Sequence, residues 1–338
     1  MNIALIVTIT LVMGVIFVNG WTDAPNAIAT AVSTRVLRPN VAIGIAVVMN
    51  FLGALVMTFF NAQVAETISN IVSFDSQGVE AAQIALAAAL FSIVIWAVAA
   101  WYFGIPTSES HALIAGLTGA AMALGGLGAV NMAEWKKVLI GLVVSTILGF
   151  GGGFVITKVL VWIFKDVPRR AANKFFHFGQ AGAAAANAFL HGAQDGQKFM
   201  GVFMLALFYN NLAEKTGNGF VIPIWVMVLS SVTMGLGTSV GGMRIIKSVG
   251  MDMVKLETYQ GFSADLAAAI CLFAASVLGI PVSTTHTKTT AIMGVGASRR
   301  LSSVDWQLVK EMLFAWVMTF PGCGLIAYGM AKLFIAIF

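Results

Sequence analysis

The sequence is dominated by apolar runs, each about as long as a membrane is thick. A membrane-spanning helix needs about 20 apolar residues, and the chain offers ten such segments separated by short polar gaps. Only 10% of the 338 residues are charged, whereas a soluble domain has about 25%. So few charges cannot cover a water-facing surface. The sequence therefore predicts an all-α polytopic membrane protein without a soluble domain.

The apolar segments fall into two groups of five, which predicts two transmembrane repeats, residues 1–164 and 175–338, joined by the polar linker 165–174. We expect the first segment to be broken around Asn19–Asn26 and the sixth around His191–Lys198. The predicted segments are Asn2–Val36, Val41–Phe60, Ala81–Tyr102, Ile105–Gly126, Lys137–Phe164, Phe175–Tyr209, Phe220–Val240, Phe262–Leu278, Pro281–Ala297 and Leu308–Phe338.

Two motifs recur at nearly the same spacing in both halves. FVNGWTD (Phe17–Asp23) aligns with FLHGAQD (Phe189–Asp195), 172 residues later. GIPTSESH (Gly104–His111) aligns with GIPVSTTH (Gly279–His286), 175 residues later. Two different motifs that agree on nearly one offset indicate an internal duplication. Coincidental matching of small residues is the alternative explanation.

Charges in the polar gaps predict that the second half is inverted relative to the first. Lys and Arg concentrate in cytoplasmic loops, and the linker carries four of them. With five crossings in each half, both termini then lie outside the cell membrane. The gap Asn61–Glu80 holds three acidic residues, Asp75 among them, and its counterpart Gly241–Gln260 holds three basic ones, as this orientation requires; Lys136 and Lys137 are exceptions. Inverted repeats with a substrate site near mid-membrane are common in secondary transporters.

The first repeated motif predicts a cation site. An ionisable residue within a span costs about 2.5–3.5 kcal/mol and marks a functional site by default. Gly20 and Pro25 interrupt the first segment, and Pro25 frees backbone carbonyls. Asp23 and Asn26, three residues apart, share a helix face; with the repeated Asp195 they are candidate sodium ligands, because carboxylate, amide and carbonyl oxygens suit a small cation. A proline kink with capping by Asp and Asn is the alternative.

The second repeated motif predicts two helix starts. Proline in the first helical turn followed by Ser or Thr is typical of a helix N-terminus, where unpaired N–H groups and the positive dipole end bind oxyanions. Two starts related by an inverted repeat are expected to meet at mid-membrane. Ordinary capping of two separate helices is the alternative. The hydroxyls expected around a tetrahedral anion are those of Ser108, Ser110, Ser283, Thr284 and Thr285.

Charge balance then predicts coupled transport. Asp23, Glu109 and Asp195 bring three negative charges to one region, and a divalent oxyanion raises the total to five. Two like charges about 4 Å apart repel by about 4 kcal/mol at an effective dielectric near 20, whereas a helix end supplies only about half a positive charge. The anion therefore needs accompanying cations or protonated carboxyls, and Glu109 is assigned to both the anion and the cation sets. Lys198 is expected to pair with Asp195, and Lys288 has no partner in sequence.

These residues resemble the inorganic phosphate transporter (PiT) family. Its signature is GxNDxxN near the first broken helix and HGxND in the second half, each followed by a GxPxSxxH-like segment; the matches are GWTDAPN, HGAQDGQK, GIPTSESH and GIPVSTTH. The resemblance covers nearly the whole chain and implies an inverted-repeat carrier that moves phosphate with sodium or protons, commonly as a homodimer. Where the family has Asn before each Asp, this chain has Thr22 and Gln194, which keep a donor and an acceptor and are assigned to phosphate binding.

The predicted function is import of inorganic phosphate by symport with Na⁺, by a protein that is not an enzyme and has no cofactor besides its coupling ion. The expected partners are phosphate, sodium, the lipid bilayer and a second copy of the chain, and not nucleic acid. A proton-coupled phosphate, metal–phosphate or sulfate permease is the alternative, followed by a cation channel or an intramembrane hydrolase. A hydrolase needs an orienting acid beside its Ser–His pair, and His111 and His286 are interpreted instead as packing residues.

Overall fold

The computed structural model describes residues 3–74, 78–105, 107–217 and 219–337, and these are almost entirely helical. Asn2, Asp75, Pro106 and Phe338, which enter the predictions above, lie outside the described residues. A small antiparallel hairpin pairs β1 (Lys215–Thr216) with β2 (Gly219–Phe220). The α-helices of the described chain are α1 (Ile3–Thr22), α2 (Ala29–Ser33), α3 (Pro39–Phe60), α4 (Gln63–Ser69), α5 (Val79–Phe103), α6 (Glu109–Gly125), α7 (Met132–Ile163), α8 (Arg169–Phe208), α9 (Ile224–Val240), α10 (Met243–Lys247), α11 (Thr258–Val277), α12 (Thr284–Arg299) and α13 (Trp306–Ile337).

Length and composition make most of these helices candidates for membrane crossing. Within the described residues, seven helical segments are long and apolar enough, and an eighth crossing results if α9 and Met243–Asp252, which meet at 66°, are one span. The polytopic helical fold predicted from the sequence is therefore confirmed. The sixth and ninth predicted segments, which correspond to α8 and α12, differ from the others in polarity and length. Both helices carry many buried polar side chains, and α12 has only 16 residues. At 1.5 Å per residue α12 is about 24 Å long, shorter than a hydrocarbon core of about 30 Å.

The first predicted helix break is present, and the second is absent. Between α1 and α2 a 3₁₀ turn covers Ala24–Ile28, with Pro25 near its start. In contrast, α8 continues through His191–Lys198 without interruption. The second prediction was wrong because this stretch contains no proline, and each of its glycines costs a helix only about 1 kcal/mol. Asp195 consequently has no unwound backbone beside it.

The junction between the halves is shorter than the predicted linker. α7 ends at Ile163 and α8 begins at Arg169, so the chain is non-helical only over residues 164–168. The remaining predicted linker residues form the first turns of α8. The division into two repeats stays a prediction, as does the cytoplasmic location of this junction.

The order of elements in the first half recurs in the second. α3, the short α4, α5, α6, a 3₁₀ turn and α7 are followed later by α9, the short α10, α11, α12, a 3₁₀ turn and α13. The first helices also cross the opposite half in matching ways: a Cβ at Gly237 would overlap the carbonyl oxygen of Phe17, and a Cβ at Gly53 would overlap that of Phe189. Phe17 and Phe189 are aligned by the sequence repeat. The inverted orientation of the halves stays a prediction.

Packing places three polar helical segments at the centre of the bundle. α6 packs against α5 and α13, whereas α12 packs against α7 and α11. α8 packs against α3 and α11 and also contacts α1. Every residue of α12 from Thr284 to Ser298 is buried, as is every residue of α8 from Leu190 to Leu207. The polar side chains of these helices therefore face protein rather than lipid.

Candidate functional site

α6 and α12 begin at the same buried point. Ser108 is the N-cap of α6 and Ser283 that of α12, and their hydroxyls accept the backbone N–H of His111 at 3.3 Å and of His286 at 3.1 Å. The two imidazole rings contact edge to face, with centroids 4.4 Å apart. The two helix starts therefore meet, as the repeated motif predicted. Capping accounts for one hydrogen bond of each of the two serines.

One detail of the helix starts differs from the prediction. α12 begins at Thr284, so Pro281 precedes the N-cap and does not lie in the first turn. The histidines that follow the caps pack on aromatic rings of α13: His111 stacks on Phe320 at 4.7 Å between centroids, and His286 on Trp316 at 3.6 Å. Within the described residues neither imidazole forms an ion pair with a carboxylate, so the contacts agree with packing and not with a hydrolytic Ser–His–acid arrangement.

The first half-site, formed by Asp23, Asn26, Thr284 and Thr285, joins the broken helix to the start of α12. Oδ1 of Asp23 accepts a hydrogen bond from the Asn26 amide at 2.7 Å and another from the Thr285 hydroxyl. Oδ2 of Asp23 lies 3.4 Å from the Thr284 hydroxyl. The Asn26 amide also reaches Thr285 at 3.2 Å. Oδ1 of Asn26 is buried and has no hydrogen-bond partner among the described residues, which leaves an amide oxygen able to bind a cation.

The second half-site, formed by Asp195, Lys198 and Ser110, joins α8 to the start of α6. Nζ of Lys198 donates to Oδ1 of Asp195 at 2.7 Å, to the Ser110 hydroxyl at 2.6 Å and to the carbonyl of Val282 at 2.6 Å. Nε2 of His191 lies 3.3 Å from Oδ2 of Asp195. Asp195 and Lys198 are both completely buried. The predicted Lys198–Asp195 pair is confirmed.

Asn19 connects Glu109 to the second half-site. Its amide donates to Oε2 of Glu109 at 2.5 Å and to Oδ2 of Asp195 at 3.2 Å. The Thr22 hydroxyl hydrogen-bonds Oε1 of Glu109, and the Thr284 hydroxyl lies 3.3 Å from Oδ2 of Asp195. The three predicted carboxylates therefore belong to one hydrogen-bonded cluster.

Asn19 was not among the predicted site residues, although its position in the sequence indicates a role. Asn19 precedes Asp23 by four residues, which places the two side chains on one helix face. The repeat aligns Asn19 with His191, which precedes Asp195 by the same distance. Both residues hydrogen-bond or contact the Asp195 carboxylate in the structure. A search for polar residues four positions before each aspartate finds both.

The cluster has the chemistry of a cation site. One ligand atom from each of Asp23, His191 and Asp195 lies within 4.8 Å of the other two. Carboxylate and amide oxygens are the ligands of hard cations. The charge count from the sequence left out Lys198: with its ammonium group, the three ionised carboxylates leave a net charge of −2 rather than −3. A bound divalent anion still requires accompanying positive charge.

Gln194 does not join the other predicted phosphate ligands. Its amide donates to the Ser276 hydroxyl at 3.0 Å and to the carbonyl of Ile280 at 3.4 Å, and its Oε1 accepts the N–H of Val282 at 3.4 Å. These contacts hold the segment between α11 and α12. Its repeat equivalent, Thr22, contacts Glu109 instead. Of the predicted phosphate-binding set, the structure brings together every member except Gln194.

A second buried ion pair lies beside the cluster. Nζ of Lys288 contacts Oδ1 of Asp265 and donates to the Thr30 hydroxyl at 3.2 Å and the carbonyl of Ala27 at 3.3 Å. The pair links α2 and the preceding 3₁₀ turn to α11 and α12. No partner of Lys288 was predicted, because Asp265 is 23 residues away in the sequence and the contact depends on helix packing.

Comparisons with known proteins agree with the motifs. The sequence profile of the Phosphate transporter family matches residues 19–327, which include both half-sites. A protein of Bacillus subtilis (strain 168) named "Probable low-affinity inorganic phosphate transporter" is 41% identical over 334 residues, which cover 97% of this chain and 98% of the relative. A protein of Rhizobium meliloti (strain 1021) with the same name is 40% identical over 311 residues, covering 92% and 90%.

A solved structure gives the same architecture. The chain described as "The sodium-dependent phosphate transporter" matches with a TM-score of 0.88 over 100% of both chains, at 23% sequence identity. At that identity the likeness concerns the fold. It confirms the predicted polytopic helical fold.

Proposed function

The chain belongs to the phosphate transporter family, and from that premise we propose that it is a secondary active carrier that imports inorganic phosphate by symport with sodium. The single observation that carries the proposal is the buried cluster of three carboxylates at two converging helix starts. Relatives that are 40–41% identical are named for inorganic phosphate, and the solved structure of the same fold is named for sodium dependence.

The phosphate contacts we propose come from the beginnings of α6 and α12. The first N–H groups of a helix have no intrahelical partner, and two helix N-termini offer positive dipole ends to one anion. The hydroxyls of Ser110, Thr284 and Thr285 lie at these starts and have partners that can be exchanged for phosphate oxygens. The proposed set also includes Thr22, Ser108, Glu109 and Ser283. We assign Gln194 to holding the adjacent segment, since its polar atoms already have partners there.

The sodium site we propose is the first half-site. Asp23 supplies the carboxylate, Thr285 a hydroxyl, and Asn26 an amide oxygen that has no hydrogen-bond partner in the described part of the chain. The turn around Pro25 adds backbone carbonyls, as at the unwound helices of other carriers. A sodium ion here reduces the repulsion between Asp23 and an incoming phosphate. Glu109 and Asp195 complete the proposed cation-binding set. Asp195 acts through the hydrogen bonds that join it to the other members of the cluster.

The direct test is transport by purified protein in proteoliposomes. Labelled phosphate should accumulate above its external concentration when an inward sodium gradient is imposed, and should only equilibrate in an equal potassium gradient. Unlabelled sulfate in excess should not compete. Accumulation that follows a pH gradient and ignores sodium contradicts the proposal and favours proton coupling.

We also propose the membrane orientation, with both termini outside and the α7–α8 junction in the cytoplasm. Single cysteines at Ala171 and at exposed Ser73 should react with an impermeant thiol reagent from opposite sides of the membrane. The native Cys271 and Cys323 are buried and give a low background. Labelling of both positions from one side contradicts the orientation. The homodimer is part of the same proposal, and cross-linking in the membrane tests it.

A further inference from the structure

Asn26 and Lys198 occupy equivalent positions in the two halves. Each lies three residues after the aspartate that ends the repeated F-x-x-G-x-x-D motif. The 172-residue offset that aligns Asp23 with Asp195 also aligns these two side chains. One half-site therefore has a neutral amide where the other has an ammonium group.

The two side chains make the same pair of contacts. Asn26 donates to Oδ1 of its aspartate at 2.7 Å and to the hydroxyl of Thr285 at 3.2 Å. Lys198 donates to Oδ1 of its aspartate at 2.7 Å and to the hydroxyl of Ser110 at 2.6 Å. The 175-residue offset of the helix-start motifs aligns Ser110 with Thr285. The half-sites thus share this arrangement of hydrogen bonds. The donor is an amide in the first half-site and an ammonium group in the second.

The donor group, amide or ammonium, decides whether a cation can bind to the half-site. Asn26 keeps a buried carbonyl oxygen with no hydrogen-bond partner among the described residues, which is available as a ligand. Lys198 has only donors, and it brings its own positive charge. A carboxylate, a hydroxyl and the carbonyl of Val282 accept from its Nζ at 2.6–2.7 Å. These are the oxygen types that surround hard metal ions in proteins.

We infer that the ammonium group of Lys198 is a built-in cation. In the second half-site it occupies the place that a mobile sodium ion takes in the first half-site. The inference rests on the proposed sodium symport and sharpens it. These two half-sites then take one mobile sodium ion per chain. Lys198 supplies a permanent positive charge beside the helix starts, so phosphate entry requires one fewer accompanying cation.

A purely structural ion pair is the competing explanation, and the two differ when the lysine is replaced. If the pair is only structural, a neutral replacement loses stability and gains no ion. If Lys198 is a built-in cation, Lys198→Asn gives the second half-site the same amide group that the first half-site has. This substitution then creates a second sodium site. Lys198→Met is the matched control, because it removes the charge without adding an oxygen ligand.

The experiment measures the number of radioactive sodium ions that each purified protein binds per chain at saturating phosphate. Lys198→Asn should bind one more sodium ion than the wild type, whereas Lys198→Met should show no gain. The Hill coefficient of sodium in phosphate uptake should rise from about one towards two in the Asn variant, because a second coupled site is added. An unchanged sodium count in the Asn variant overturns the inference.

The reverse exchange gives a second test, which also serves if Lys198→Asn does not fold. Asn26→Lys should lose the sodium ion of the first half-site, and retention of that ion overturns the inference. The number of bound sodium ions does not depend on which ion gradient drives phosphate uptake. Sodium-independent uptake by the wild type, together with a gained ion in Lys198→Asn, refutes the proposed symport and leaves the built-in cation supported.

Discussion

The two half-sites begin from the same sequence pattern and reach different structures. F-x-x-G-x-x-D is followed in the first half by a 3₁₀ turn and in the second by an unbroken helix. Pro25 accounts for the turn, since it removes a backbone donor and crowds the preceding turn. The aligned position in the second half is Gln197, which retains its N–H. A duplicated motif therefore does not imply duplicated backbone.

The difference extends from the backbone to the charges. Asp23 accepts hydrogen bonds from neutral partners, Asn26 and Thr285. Asp195 forms an ion pair with Lys198 and lies beside His191. A carboxylate with neutral partners can bind a cation that arrives with substrate, whereas a carboxylate already paired with lysine cannot do so as readily. The two aspartates, equivalent in sequence, are expected to respond differently to the same substitution.

The second half-site should show the greatest loss of stability. Asp195→Asn leaves Lys198 buried without its anionic partner, and breaking a buried pair in this way costs about 3–5 kcal/mol. The free energy of unfolding, measured by denaturant titration in mixed micelles, should fall by that amount. The double variant Asp195→Asn with Lys198→Met removes both charges and should recover most of the loss. A single variant as stable as the wild type contradicts the structural importance of the pair.

The first half-site should show a functional effect instead. Asp23→Asn keeps the side-chain shape but removes the charge that we propose binds sodium, and hydrogen bonds or contacts to charged groups contribute about 1.5–3 kcal/mol. Sodium stimulation of phosphate uptake should therefore disappear, with uptake reduced at least about tenfold. The loss in unfolding free energy should be smaller than for Asp195→Asn, because no buried lysine loses its partner. Undiminished sodium stimulation in this variant removes the proposed sodium site.

Smaller effects are expected from the hydroxyls at the two helix starts. Ser110→Ala and Thr285→Ala each remove one proposed phosphate donor, which costs about 1–3 kcal/mol, or about 5- to 150-fold in phosphate affinity. Thr285→Ala should also weaken sodium binding, since this hydroxyl contacts Asp23, whereas Ser110→Ala should leave sodium affinity close to normal. Thr290→Ala is the control, because the hydrogen bonds of its buried hydroxyl among the described residues go to backbone carbonyls of α12. Wild-type phosphate affinity in both test variants places the anion elsewhere.

Much of this architecture was predictable because it depends on local chemistry. Apolar length sets the helices, and Ser108 and Ser283 mark helix starts because their hydroxyls cap the first turn. The pair of Lys198 with Asp195 follows from a spacing of three residues in a helix. The meeting of the two helix starts followed from the repeat.

The remaining features depend on contacts between distant segments. Lys288 finds Asp265 only when α11 and α12 pack together. Gln194 hydrogen-bonds a neighbouring segment, although its place in the motif equals that of Thr22. The continuity of α8 through the motif results from burial of every residue from Leu190 to Leu207, which offsets the poor helix propensity of the glycines there. Sequence patterns indicate which residues are polar and buried, and packing decides which of them meet.

Sodium coupling is tested most simply by a pair of equilibrium titrations on the wild-type protein. If sodium and phosphate bind one coupled site, as we propose, the coupling between them must be reciprocal. Phosphate affinity is measured at increasing sodium concentrations, and sodium affinity at increasing phosphate concentrations. Each ion should raise the affinity for the other by the same factor, which we expect to be at least about fivefold for a coupling of 1–3 kcal/mol. If the two ions bind independently, the carboxylates of the cluster are structural and the proposed coupling is wrong.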